Sequence, residues 1–333
     1  LYPSFDQQWF QEGGANTEAV FVTIFNNSSG TNTTKPNGYD NATRPSYTGT
    51  SGGSNQPTWE MVQAFPMLDG KKPGTSTKYA YNSQLFYKNR DPRFDKTIAY
   101  NGCTWPLNGN TAYKLWTYYT TASKSVETKA STTGFYCRKA INSTAALSDA
   151  QYVGTDWIEL RYAEVLLNLA ETACGTNNLS VAFDQLKAIR KRAGIEIGTD
   201  GNYGLQAGMS RTQMFDAILY ERQIEFAFEG KRFWDLRRWK KVETTLNGKR
   251  RNALVITLKT TGVPTDFATT RDNLSLDLVY TNYFTIATKV LDTKYAINWL
   301  PAYYYLPIPQ GAIDNNPSLI QNNTWGGGFD PLQ

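Results

Sequence analysis

Between Asp156 and Gly248 apolar residues recur at helical spacing in four successive runs, and this stretch limits the fold more than any other part of the 333-residue chain. The first run carries Leu160, Ala163, Leu167, Ala170 and Cys174 and stops at Gly175; the second carries Ala182, Leu186, Ile189 and Ala193 and stops at Gly194. Residues three and four apart share one face of an α-helix, so each run predicts a helix with a single stripe turned to a core. The third run opens on Ser210 and Gln213, spaced as a capping box, with Met209 and Met214 placed for a hydrophobic staple. It continues through Phe215, Ile218, Leu219 and Phe226 to a break at Gly230. The fourth steps through Phe233, Leu236, Trp239 and Val242 to Gly248. Short connections within each pair predict antiparallel helical hairpins, a four-helix scaffold over 156–248.

The flanks read differently. Residues 1–151 are turn-rich and are expected to be the loop-rich, ligand-binding part. Residues 18–25 have strand character, and Asn26 to Pro57, dominated by Asn, Ser, Thr, Gly and Pro, predicts a long surface loop. A short helix is expected after Pro57-Thr58, through Trp59, Met61, Val62 and Phe65, and an aromatic loop from Cys103 to Cys137. Residues 249–333 are expected to form an extended tail packed on the scaffold. Within it residues 254–258 predict a strand, Leu276 to Thr288 shows no clear period, and the proline-rich Trp299 to Pro309 must be extended in part.

Composition narrows the function. The chain has no histidine, which removes the commonest general base and the commonest neutral metal ligand. Its three cysteines have no zinc spacing, and no phosphate-cradling glycine motif is present, so no cofactor and no metal are expected. Cys174 reads as a buried thiol, while Cys103 and Cys137 suit a bridge in an oxidising compartment. A net charge of +5 is too mild for a nucleic-acid partner, and the basic run from Lys231 to Arg251 reads as a solvated helix face. No apolar run approaches the ~20 residues of a membrane span, and the opening Leu1-Tyr2-Pro3-Ser4-Phe5 reads as an interior cut. One catalytic alternative survives, a carboxylate-pair glycosidase. Glu221, Glu225 and Glu229 share a helix face, but with Arg222, Arg232, Asp235 and Arg238 close by they read as a structural ion network joining two helices.

Four ordered stretches resemble the SusD/RagB family of outer-membrane nutrient-binding lipoproteins of Bacteroidetes-type bacteria. They are Asn89-Arg90-Asp91-Pro92-Arg93-Phe94; Leu160-Arg161-Tyr162-Ala163-Glu164-Val165-Leu166-Leu167-Asn168; Glu221-Arg222 through Phe228-Glu229-Gly230-Lys231-Arg232-Phe233-Trp234-Asp235-Leu236-Arg237-Arg238-Trp239; and Leu306-Pro307-Ile308-Pro309 with Asn315-Asn316-Pro317 and Gln321-Asn322. Residues 57–65 are a weaker fifth match, and Asn323-Thr324-Trp325 departs from the family's usual ending. The resemblance covers the carboxyl-terminal portion of the family. It implies a mainly α-helical fold of tetratricopeptide-like hairpins carrying a loop-rich region with a few short strands. It also implies glycan capture at the cell surface for nutrient uptake, with peptide capture of the RagB type as the alternative. The partners it implies are a SusC-like TonB-dependent transporter and a membrane reached through a lipid anchor in an amino-terminal part. In the longest stretch, Phe226, Phe233, Trp234 and Trp239 are expected to lock the last helices together.

Ligand contact is expected on the loops. A sugar ring packs its C–H face on an aromatic ring, and its hydroxyls need amide or charged groups at the rim. Trp105, Trp116, Tyr119 and Tyr47 are the leading candidates, with Tyr113 and Tyr39. Asn108, Asn110, Asn41 and Arg44 are the polar residues beside them.

Overall fold

A computed structural model describes residues 1–27, 35–48, 52–107, 109–146 and 148–332. Contacts divide the chain into two compact units, Leu1–Glu229 with Arg251–Leu291, and Gly230–Arg250 with Asp292–Gln333. This is not the division at 151, 156 and 248 that hydrophobic pattern suggested. Spacing along the chain says that helices form, but not which core each one joins.

In the first unit the helical runs fold as Tyr162–Gly175, Leu179–Ala193 and Arg211–Glu225. Ala163, Leu167, Ala170, Ala182, Leu186, Ile189 and Ile218 lie fully inside their shared core, as the stripe requires. The capping box forms as spaced: the Ser210 hydroxyl accepts from the Gln213 amide at 3.3 Å, and the Gln213 side chain accepts from the Ser210 amide at 2.8 Å. Met209 and Met214 are both buried beside it. Leu160 departs from the expectation, because Trp157–Arg161 is a strand paired antiparallel with Ala19–Thr23, and the helix starts only at Tyr162. Glu18 fixes that start. Its carbonyl accepts from the Tyr162 amide at 2.7 Å and its carboxylate from the Ala163 amide at 3.1 Å.

The same unit holds a second, aromatic core. Trp59, Phe65, Phe86, Phe94, Trp105, Tyr118, Phe135, Tyr136, Tyr280 and Phe284 are buried in it, which accounts for much of the chain's aromatic content. Against this core Asn252–Leu258 pairs antiparallel with Phe284–Val290. The stretch from Leu276, which had no legible period, is a helix of barely two turns, Leu276–Asn282, followed by the second of these strands. Seven residues of one state and seven of another are too few for either periodicity to emerge. Asn26 to Pro57 is likewise not all loop. It contains the helix Gly38–Thr43 and a 3-10 turn at Ser46–Thr48, held by a buried Asp40–Arg44 pair.

The backbone of residues 119–134 is sewn to the edge of strand Asn252–Leu258. Tyr119 donates to the Ile256 carbonyl and accepts from the Leu258 amide, each at 2.8 Å, and the Leu254 amide donates to Thr133 at 3.0 Å. Gly134 sits at φ +84°, and a Cβ there would lie 2.3 Å from the Leu254 carbonyl oxygen. Gly134→Ala is therefore expected to destabilise the chain by about 1–3 kcal/mol, because strain and collision coincide. Urea denaturation checks it, and an unchanged midpoint would show that the crossing relaxes freely.

The fourth helical run belongs to the second unit as Lys231–Arg238, interrupted by Lys240 at φ 51° before the short helix Val242–Thr245. Of the four aromatics expected to lock helices, Phe226 is buried under the guanidinium groups of Arg161 and Arg222. Phe233 and Trp234 are instead 50% and 58% exposed and rest edge-on against each other. The Lys231–Arg238 helix buries only Asp235 and Leu236, so its other positions have no core to fill. The carboxyl-terminal stretch closes on itself: Gln321 bonds the Ile308 amide and carbonyl at 3.0 and 2.9 Å, and Asn322 donates to the Leu306 carbonyl at 3.0 Å. Among the described residues no helix is long and apolar enough to cross a membrane.

Candidate functional site

Residues 102–107 and 109–115 pair as the arms of a small hairpin, in which the Trp105 amide donates to Tyr113 at 2.9 Å and the Leu115 amide to Cys103 at 3.0 Å. Side chains alternate across such a ribbon, so Cys103, Trp105 and Leu107 all turn into the aromatic core while Thr104 stays exposed. The return strand ends at Trp116 and borders a cleft of about 280 Å³. Tyr47, Asn110, Tyr113, Lys114, Trp116, Glu127, Arg271 and Asp272 are among its lining residues.

Each wall is held by bonds the sequence does not announce. The Trp116 indole N–H donates to Asp272 Oδ1 at 2.7 Å, and the Lys114 ammonium donates to the Asp272 carbonyl at 2.8 Å. The Arg271 guanidinium lies 5.0 Å from the Trp116 ring centre and donates to the Tyr118 hydroxyl at 2.5 Å. On the opposite flank Glu127 is buried and accepts from the hydroxyls of Tyr47 and Tyr136 at 2.9 and 2.8 Å and from the Ser131 amide at 3.1 Å. Burial pushes the Glu127 carboxyl above the usual carboxylate range, against the lowering effect of these three donors. Burial also raises the Tyr47 and Tyr113 phenols, so both rings present neutral hydroxyls.

The structure brings together only some of the expected ligand residues. Tyr47, Tyr113 and Trp116 line the cleft with Asn110, although Trp116 shows just 6% of its surface and one face is covered by Arg271. Tyr47 and Tyr113 are partly buried and are the more open rings. Trp105 is a core residue at 1% exposure, a correction that follows from the alternation just described. Tyr119 is held by its backbone to strand Asn252–Leu258 and lies outside the lining. Tyr39 packs on Trp157 at 4.7 Å with its hydroxyl against the Cys137 sulfur, and Arg44 is fully buried on Asp40; neither lines the cleft. Asn108 lies outside the described residues, and Asn41 is not in the lining. Cys103 and Cys137 are free thiols, as is Cys174, so the expected bridge is absent; burial pushes both Cys103 and Cys137 up to about 11.

A second concentration of charge is sealed from solvent. Arg93 donates to Glu221 and to Glu225, each at 2.7 Å, and to Asp91 at 2.7 Å. Arg161 reaches Glu225 at 2.6 Å, Glu229 at 2.7 Å and Glu18 at 3.0 Å; Arg190 reaches Glu221 at 2.7 Å. Arg192 pairs with Glu225, and Lys139 with Glu229. The expected ion network exists, but with different cations: Arg222 meets Glu164 and Asn168, and Asp235 pairs with Arg238. Burial alone would raise Glu225, yet the charges of Arg192, Arg161, Arg93 and Lys139 hold it well below the carboxylate range. Glu221 and Glu229 are lowered likewise against burial, by Arg93 with Arg190 and by Arg161 with Lys139. Saturated and buried, these carboxylates have no access to a glycosidic bond.

A family model described as the SusD family matches residues 17–325. The chain belongs to the SusD family. Two solved structures from Bacteroides fragilis share the fold. One is a SusD-like protein at 23% identity and TM-score 0.68, covering 95% of this chain and 56% of that one. The other is a SusD-like carbohydrate binding protein at 24% identity and TM-score 0.67, covering 95% of this chain and 57% of that one. A curated relative, SusD-like protein P2 of Formosa agariphila, is 36% identical over 90 residues, which are 26% of this chain and 17% of that protein. The chain therefore spans little more than half the length of the solved relatives. In SusD-family terms, three of the ordered stretches meet in the ion network: Asp91 and Arg93 from the first, Arg161 from the second, Glu221, Glu225 and Glu229 from the third. Those motifs record the scaffold. The cleft residues that sequence reasoning missed, Lys114, Glu127, Arg271 and Asp272, lie in stretches without motif or period. Only the place of Lys114, two residues before Trp116, was a signal.

Proposed function

We propose that this SusD-family chain captures a saccharide in the cleft between Tyr47, Tyr113, Trp116 and Arg271 and holds it without breaking a bond. The observation that carries this reading is convergence. Partly buried phenol rings from two distant loops meet an indole, a guanidinium and two carboxylates around one cavity of about 280 Å³. Rings accept the apolar face of a pyranose while the rim groups exchange hydrogen bonds with its hydroxyls. The cavity lies near the lower end of ligand pockets, about 300–1,000 Å³, and suits a short stretch of a saccharide chain. The buried, fully paired state of Glu221, Glu225 and Glu229 supports capture over hydrolysis. Capture of this kind serves uptake at the outer-membrane surface, where a SusC-like TonB-dependent transporter receives the ligand and a lipid anchor tethers its carrier.

The test is calorimetric titration of the chain with a panel of oligosaccharides and protein digests. A saccharide is expected to bind, and Tyr113→Ala is expected to weaken it about tenfold, equivalent to about 1.4 kcal/mol. Binding of peptides alone, or an unchanged affinity in Tyr113→Ala, would overturn this reading. So would slow release of reducing sugar.

A further inference from the structure

Arg271 and Asp272 are consecutive residues in the 3-10 turn Arg271–Asn273, and both face the cleft. Each is anchored by one part of its side chain and keeps another part unspent. Arg271 gives one N–H to the Tyr118 hydroxyl at 2.5 Å and rests its plane against Trp116 and Tyr118, 5.0 and 5.3 Å from their ring centres. A guanidinium carries five N–H donors, so among the described residues most of its donor capacity remains. Asp272 takes the Trp116 indole N–H on Oδ1 at 2.7 Å, and Lys114 holds its backbone carbonyl at 2.8 Å. Among the described residues Oδ2 has no hydrogen-bond partner, and Asp272 is one of the residues lining the cleft.

A donor and an acceptor on adjacent residues, both already immobilised, lose little entropy when they engage a ligand. The ligand group that answers both together is a pair of neighbouring hydroxyls, one accepting and the other donating. We propose that Arg271 and Asp272 form a vicinal-diol clamp. By it the cleft selects saccharides whose internal units keep two adjacent free hydroxyls, as 1,4-linked pyranoses do at O2 and O3. Internal units of a 1,3-linked glucan have no such pair, because O3 is substituted. This rests on the saccharide reading of the same cleft and narrows it to a substrate class.

The experiment uses the 333-residue chain and its Tyr113→Ala, Arg271→Lys and Asp272→Asn variants. Probes are maltohexaose, cellohexaose, mannohexaose and xylohexaose, which are 1,4-linked, with laminarihexaose as the 1,3-linked member. At least one 1,4-linked probe is expected to bind ten or more times tighter than laminarihexaose. Both clamp variants are expected to weaken it about tenfold.

Because Arg271 and Asp272 also support Trp116, lost affinity alone does not separate contact from scaffolding. The best probe is therefore also tested with its O2 and O3 methylated. In the unsubstituted chain methylation is expected to weaken binding strongly, and in Asp272→Asn to have little further effect, the non-additivity that marks a direct partner. Additive losses, with Tyr113→Ala still impairing binding, overturn the clamp and leave the saccharide reading standing. Preference for laminarihexaose does the same. Binding of none of the probes overturns the clamp, and loss of sensitivity to Tyr113→Ala removes both.

Discussion

Replacing Glu225 by alanine is expected to destabilise the chain by on the order of 3–5 kcal/mol, the typical cost of removing one partner from a buried charge pair. Glu225 is shared by Arg93, Arg161 and Arg192, and none of these cations has solvent to turn to. Deleting one carboxylate strands charge that four others, on Asp91, Glu18, Glu221 and Glu229, only partly balance. Glu243→Ala, at an exposed position, is the control and is expected to stay within about 0.5 kcal/mol. Denaturant titration of both variants decides the matter. A Glu225→Ala chain as stable as the control would mean that the network is ornamental, and that apolar packing alone joins the Pro92–Thr97, Tyr162–Gly175 and Arg211–Glu225 helices.

The second large effect is loss of stability in acid. Glu221, Glu225 and Glu229 titrate below the usual carboxylate range when folded, Glu225 well below it. Unfolded, each returns to about 4.3. Between those values the unfolded chain binds more protons than the folded one, so stability rises with pH there. The contribution is therefore full above about pH 4.3 and is lost as pH falls through the folded values, with a limiting slope of about 1.4 kcal/mol per pH unit for each group. Asp40, Asp95 and Glu127 work in the opposite direction, since burial raises all three. Their contribution is present at low pH and is lost as pH rises through their raised values. The two sets meet at different pH, with the raised groups acting above the unfolded value and the network acting below it. The expected profile is a maximum of stability near the ordinary carboxylate range and a steep fall on its acid side. Glu225→Gln removes one titrating group and is expected to make that fall shallower. Stability that stays flat from pH 5 to pH 3 would show that the network carboxylates are not held ionised.

Much of the scaffold was legible because its cause is local. Ser210 with Gln213, Gly194 after Ala193, and the stripes through Leu167 and Leu186 are statements about turns of one helix, and short-range spacing encodes them. The candidate site was legible only in part. Ring chemistry and loop position single out Tyr47, Tyr113 and Trp116, and all three line the cleft proposed to take the ligand. Trp105 belongs to the core instead, because the alternation of Cys103, Trp105 and Leu107 is a strand pattern that points all three the same way. Tyr39 and Arg44 look exposed in a polar stretch, yet they are taken up by Trp157 and Asp40.

By itself the sequence determined that three long helices form and where Ser210, Gly175 and Gly194 bound them, that histidine-based chemistry is absent, and that glutamates one turn apart would need cations. Each of these follows from residue identity or from neighbours within a few positions. Only the tertiary structure decided which cations answer those glutamates, that the Lys231–Arg238 helix leaves its predicted partners for the second unit, and that Arg271 and Asp272 face Trp116 from more than 150 positions away. Contacts at that separation are chosen by how packed cores close on one another. No periodicity or propensity along the chain carries that information.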